Sequence, residues 1–240
     1  MSKGRSKWKK TVNVICVFLI ALVLITGYYT VTNSKNSAPN FNPNNMEKPT
    51  TSNDLSTNNL IILGICTFVL ITSLSIIVDS SSSVYKTAPM FFITNTKSTI
   101  NLENTTLTYG SNILLSIKGT NEWGNSGSNG GNLELNAINQ KLSGDITLDS
   151  LSSVHINLKS STLTSTVNNN KKAKEVNISI DKNSKWNVEG NSYINTLKLT
   201  NNDLNLIKDN GHNVYYDKEA NERLDAKTYT LQDGGKLIPR

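Results

Sequence analysis

An eight-residue pattern returns along the C-terminal part of this 240-residue chain. Residues Ile100–Leu107 read INLENTTL and residues Ile156–Leu163 read INLKSSTL. Residues Leu197–Leu204, LKLTNNDL, keep the form aliphatic-x-Leu-x-x-x-x-Leu. Weaker copies begin at Leu133 (LELNAINQ) and Ile178 (ISIDKNSK), with Leu142 and Trp186 near the place of the final Leu. From Leu133 onward the starts lie about 23, 22 and 19 residues apart, the spacing of a solenoid coil. The first gap, about 33, contains an evident insertion, GTNEWGNSGSNGGN at Gly119–Asn132.

A single coil of that length cannot bury its own aliphatic face; stacking coils puts Ile over Ile and Leu over Leu. Period-2 runs recur from about Val84 on (TINL, ILLSI, DITL, HINL, VNISI), and no helical period is sustained. Asparagine occurs 35 times, several times ordinary usage. It accepts left-handed backbone angles in turns, and stacked amides bond in ladders. An antiparallel sandwich explains the alternation but neither the copied octapeptide nor the regular spacing. The expected fold is therefore all-β, a single-stranded parallel β-helix over 84–240 with about 20–23 residues per coil. Its hand does not follow from periodicity.

Two apolar segments precede this region. Val12–Val31, VNVICVFLIALVLITGYYTV, has the length of about 20 residues that a bilayer span needs. It follows a basic tail, residues 1–11, carrying Lys3, Arg5, Lys7, Lys9 and Lys10, which favours an uncleaved anchor with its N-terminus inside. Leu60–Val78, LIILGICTFVLITSLSIIV, is apolar on all sides and reads as a second transmembrane helix. Between them 32–59 is an Asn/Ser/Thr/Pro-rich linker. One span places the β-helix outside the cell; two spans form a hairpin and leave it in the cytoplasm.

Most of the formal charge of +6 lies in that tail. Without it about 19 cations face 18 anions, so the body lacks the basic field that nucleic acid requires. Two cysteines, Cys16 and Cys66, sit in the apolar runs, and His155 and His212 are the two histidines. No disulfide framework and no metal spacing can be built from them, and no cofactor is expected.

Four blocks, TAPMFFITNT (Thr87–Thr96), WGNSGSNGG (Trp123–Gly131), NGHNVYYD (Asn210–Asp217) and KTYTLQDGGKLIP (Lys227–Pro239), resemble adhesin-like right-handed β-helix proteins of Gram-positive bacteria, a family associated with carbohydrate binding. The resemblance covers about the last 155 residues. It implies a right-handed coil and a cell-surface location, and it brings no catalytic residue set. Relatives carry more coils before the TAPMFF block, so the chain looks like the C-terminal end of such a protein joined to an anchor.

The insertion is the segment that looks built for more than stacking, because binding groups sit on long loops of rigid scaffolds. Trp123 offers an aromatic platform for a sugar ring, with Asn121, Glu122 and Asn125 supplying hydrogen bonds; the plainer reading folds Trp123 back over the coil edge. Asp145 and Asp149 share a strand face but lie roughly 13 Å apart, too far for paired glycosidase carboxylates, and read as turn acids. Thr162, Thr164 and Thr166 alternate as a hydroxyl row, and Lys171, Lys172 and Lys174 form a short basic run. The expectation is a membrane-anchored, non-enzymatic surface module that contacts glycan or cell-wall polymer. A degenerate β-helix remnant without a ligand and a carbohydrate-active enzyme are the alternatives.

Overall fold

The computed structural model describes residues 60–62, 67–72 and 75–240. The basic tail, the Val12–Val31 anchor and the 32–59 linker lie outside the described residues. What is described is an all-β parallel solenoid of about seven turns. The first coil is β1 (Leu60–Ile62), β2 (Thr67–Thr72) and β3 (Ser75–Ile77). The second is β4 (Phe91–Ile93), β5 (Lys97–Glu103) and β6 (Thr106–Thr108). The third is β7 (Ile113–Ile117), β8 (Asn132–Ile138) and β9 (Lys141–Ser143). The fourth is β10 (Asp145–Leu148), β11 (Ser153–Lys159) and β12 (Thr162–Ser165). The fifth adds β13 (Glu175–Ile180) and β14 (Lys185–Val188), with Val167 bridging to Ile146. The sixth is β15 (Ser192–Ile194), β16 (Thr196–Leu199) and β17 (Ile207–Lys208). A closing turn holds β18 (Val214–Tyr216), β19 (Tyr229–Thr230) and β20 (Lys236–Pro239).

Each coil lays one strand on each of three faces. The first face runs β1-β4-β7-β10 and, past Val167, continues as β15-β18-β20. The second is the six-stranded sheet β2-β5-β8-β11-β13-β16. The third is split into β3-β6 and β9-β12-β14-β17. Inside, the second face stacks Ile100, Leu135, Ile156, Ile178 and Leu197 in register, all buried. The third stacks Leu142, Leu163, Trp186 and Ile207. Burying such a side chain contributes about 1.5–3 kcal/mol, and the stacked register of successive coils makes the benefit repeat.

Two sequence expectations are corrected. The apolar segment 60–78 does not form a second membrane helix: its described residues are β1, β2 and β3, the first coil. Val69 and Ile71 pair with Ile100 and Leu102, and Ile76 with Leu107, so the octapeptide has a further copy at Val69–Ile76. A continuous apolar run does not distinguish a buried strand from a helix by periodicity; here ten of the 19 residues are Ile, Val or Thr, which fit a pleated surface. Among the described residues, no helix is long and apolar enough to cross a membrane. Among the described residues the solenoid thus begins at Leu60, ahead of the expected start at residue 84.

The repeat register also shifts. Ile100 faces Leu135, not Leu133, and the coil starts at Leu135, Ile156, Ile178 and Leu197 are 21, 22 and 19 residues apart. In the last copy Ile207, not Leu204, stacks on Trp186, because short 3-10 turns at Thr200–Asn202 and Leu204–Leu206 lengthen the path.

The corners carry the asparagines. Seven of them, Asn95, Asn104, Asn139, Asn168, Asn201, Asn202 and Asn210, hold positive φ, where a Cβ-bearing residue of another type is disfavoured. The buried corner after the second face is a polar ladder. Gln140 donates to the Thr105 carbonyl at 2.7 Å, and the Gln140 and Ser161 amides donate to the hydroxyls of Ser161 and Ser184, each at 2.9 Å. At the C-terminal end, β19 turns back antiparallel on β20. Asn221 accepts from the Leu197 amide at 2.8 Å and donates to the Asn195 carbonyl at 2.6 Å, covering the open edge of β16. That closure blunts an edge that would otherwise pair with another chain.

Candidate functional site

The insertion leaves the first face after β7 and returns at β8, spanning one corner of the third coil. Its ends are fixed by the scaffold. The Gly119 amide donates to Asp149 Oδ2 at 2.8 Å, and the Gly131 amide donates to Ser152 Oγ at 3.0 Å. The middle is drawn together by Asn129, 2% exposed, whose Nδ2 donates to the carbonyls of Thr120 and Trp123. The Asn129 carbonyl in turn accepts from the Asn95 amide of the coil beneath at 2.9 Å. Gly124, at φ +75°, lies so close to Asn95 that an added Cβ would stand 2.5 Å from its Oδ1. The loop is therefore a closed, latched structure, not a floppy connection.

Of the four residues expected to bind, two sit at the surface and two turn inward. Asn121 and Asn125 are exposed, and the Asn125 carbonyl accepts from the Ser128 amide at 3.0 Å. Trp123 is half-buried with its indole Nε1 enclosed, and Glu122 has Oε2 enclosed; neither atom has a hydrogen-bond partner among the described residues. Thr120 Oγ1 and Thr94 Oγ1 share that condition, and Thr94 is wholly buried at the end of β4, where Lys118 donates to the Ile93 carbonyl. Trp123 thus folds back over the coil edge with polar atoms left over. Thr94, Thr120 and Asn129 were not singled out in the sequence. Thr94 and Asn129 belong to the site through register and latch, which octapeptide spacing does not reveal.

The other sequence candidates fall into structural roles. Asp145 accepts from the Thr166 amide at 3.2 Å and from Asn112 Nδ2 at 3.3 Å; Asp149 accepts from the Gly119 and Leu151 amides. Both are turn acids that bind backbone. Lys171 holds its Nζ 4.5 Å from the centre of the Tyr193 ring, which stacks on Tyr215 at 4.6 Å. Thr162 and Thr164 are half-buried on β12, and Thr164 Oγ1 accepts from Asn187 at 3.1 Å. On the second face Asn157 donates to Asn136 at 2.7 Å and Asn136 donates to Asn101 at 2.8 Å, an amide ladder on three adjacent coils. Among the described residues, no group of three or more His, Cys, Asp or Glu is placed to hold a metal ion.

No family model matches the chain, and neither does any curated protein or solved structure.

Proposed function

We propose that this protein is a membrane-anchored, non-enzymatic surface module whose right-handed β-helix binds glycan through the Gly119–Asn132 loop. The observation that carries the reading is the set of enclosed polar atoms without partners: Trp123 Nε1, Glu122 Oε2, Thr120 Oγ1 and Thr94 Oγ1. A buried polar group left unpaired costs about 1–3 kcal/mol, so a ligand that supplies both donors and acceptors gains from filling it. Sugar hydroxyls do both: one donates to the Glu122 carboxylate while its oxygen accepts from an indole N–H. Gly124 and Gly127, both at positive φ, are the points about which the latch opens to admit them. A non-enzymatic role accords with Asp145 and Asp149 being committed to backbone amides.

The first coil supports the location. With the strands of 60–78 in the solenoid, Val12–Val31 is the one expected span that remains, and its basic flank favours the cytoplasm. On this reading the solenoid lies outside the cell. The right-handed wind is the hand that parallel crossovers adopt almost without exception.

The test is calorimetric titration of the detergent-solubilised full chain with a panel of neutral oligosaccharides. Binding is expected, and Trp123→Phe, which keeps the ring but removes the N–H, weakens it about tenfold while the thermal midpoint holds. A panel without a binder, or a Trp123→Phe variant that binds as the parent does, overturns the proposal.

A further inference from the structure

The third face is broken between the second and third coils. Among the described residues β6 pairs only with β3 and β9 only with β12, so the facing edges of β6 and β9 form no ladder. Two side-chain struts hold them at a fixed separation. At one end Gln140 of the third coil donates to the Thr105 carbonyl at 2.7 Å. At the other, the Tyr109 hydroxyl donates to the Ser143 carbonyl. Gly144, at φ +119°, makes the second strut possible, because an added Cβ there would stand 2.7 Å from Tyr109 Oη and 2.9 Å from the Leu114 amide. Around the Tyr109 strut lies a cleft of about 290 Å³ with Thr108, Tyr109, Ser111, Asn112, Lys141 and Ser143 in its walls.

The struts close both ends, so a continuous peptide strand cannot thread between β6 and β9. The volume is at the small end for ligand pockets, which suits one compact unit. The walls offer hydroxyls, an amide and one aromatic side, the inventory that meets a sugar ring. Their one charged side chain is Lys141, exposed and without an ion-pair partner; among the described residues the salt bridge is Lys227–Asp225. Asp145 nearby is engaged by Asn112 and the Thr166 amide. Burial and Asp145 push the Tyr109 phenol up to about 12, so its hydroxyl stays a donor. The charged residues on the strands of this face are of one sign. Lys141, Lys185 and Lys208 are exposed on β9, β14 and β17, and none of the strands β9, β12, β14 and β17 carries an acid. Adjacent strands are about 4.8 Å apart, so Lys185, two strands from Lys141, lies within reach of the next units of a bound polymer.

We infer that the cleft between β6 and β9 is a second binding site, which seats one unit of an acidic polysaccharide with its anionic group on Lys141 and its hydroxyls on Asn112, Ser111 and Ser143. The inference rests on the glycan-binding reading in its ligand class but not on the Trp123 loop, which lies at another corner of the coil.

The experiment is affinity electrophoresis of the solubilised full chain in gels containing alginate, polyglycerol phosphate or neutral dextran, at low and physiological salt. Retardation by alginate is expected, with Lys141→Gln reducing affinity about tenfold and Lys172→Gln leaving it unchanged. Retardation by polyglycerol phosphate in place of alginate, lost in the same variant, keeps the cleft and identifies the anion as phosphate. Asn112→Ala, which removes a hydrogen-bonding group but no charge, is expected to weaken alginate binding as well. Thermal midpoints confirm that each variant is folded. Equal losses for Lys141→Gln and Lys172→Gln mean diffuse charge attraction and overturn the cleft, as does the absence of retardation by either polyanion. Loss in Trp123→Phe alone assigns the acidic polymer to the loop, which overturns the second site while sparing the first.

Discussion

Asp209 shows what one side chain does in a stacked fold. It is completely buried, yet it pairs with no cation. Instead its carboxylate accepts from the amides of Asp233 at 2.9 Å, Gly235 at 2.6 Å and Gly211 at 3.2 Å, pinning the last turn onto the coil below. Burial pushes its carboxyl up, but the amides of Asp233, Gly235 and Gly211 together outweigh burial and hold it below the ordinary carboxylate value. Since the folded form ionises at lower pH than the unfolded one, this stabilisation is complete above the ordinary value of about 3.9 and is lost as pH falls through the folded value. Asp209→Ala leaves three amides unpaired, that of Gly235 buried, and about 1–3 kcal/mol of stability should go with them in chemical denaturation at pH 7. The parent–variant difference should shrink as the pH approaches 3; a constant difference would assign Asp209 a packing role instead. At the insertion, Asn129→Ala removes the latch to Thr120 and Trp123. Limited proteolysis should then cut within 120–128 where the parent resists, and an uncut variant would show that the loop is held by other contacts.

At the scale of strands and coils, the second face is where sequence and structure meet most closely. The copies INLENTTL and INLKSSTL place Ile100 and Ile156 in one buried column, and the residues between supply the turn. That column made the parallel solenoid legible. Two things hid the rest. In LELNAINQ the alternation Leu133, Leu135, Ala137 fits either of two starts, and only pairing with neighbours selects Leu135. In the 60–78 segment Phe68 and Leu70 pair with Thr99 and Asn101 of the next coil, so the polar residues that give later strands their alternation are replaced by apolar ones. The insertion was found by length, but Asn95, whose amide donates to the Asn129 carbonyl, comes from a different coil and leaves no local trace. A backbone test separates strand from helix here. Leu70 pairs with Asn101, so Leu70→Pro removes a ladder amide and should lower the solenoid's thermal midpoint. A membrane helix apart from the solenoid would leave that midpoint unchanged. Within the column, Ile178→Ala should cost about 2–5 kcal/mol, read by denaturant unfolding.

For the molecule as a whole, the assignment of Leu60–Ile77 to the first coil decides more than the fold. It leaves the expected two-span hairpin without support, with Val12–Val31 as the expected span that remains. The proposed glycan binding calls for a solenoid outside the cell, so the proposed function and the proposed topology are tested together. The most direct measurement is protease shaving of intact cells carrying an epitope tag after Arg240, beside one exposed and one cytoplasmic control protein. The account predicts that the tag disappears from intact cells together with the exposed control, while the cytoplasmic control survives. A tag that stays protected until the cells are lysed, with the exposed control cut, would put the solenoid inside and contradict the surface-binding function.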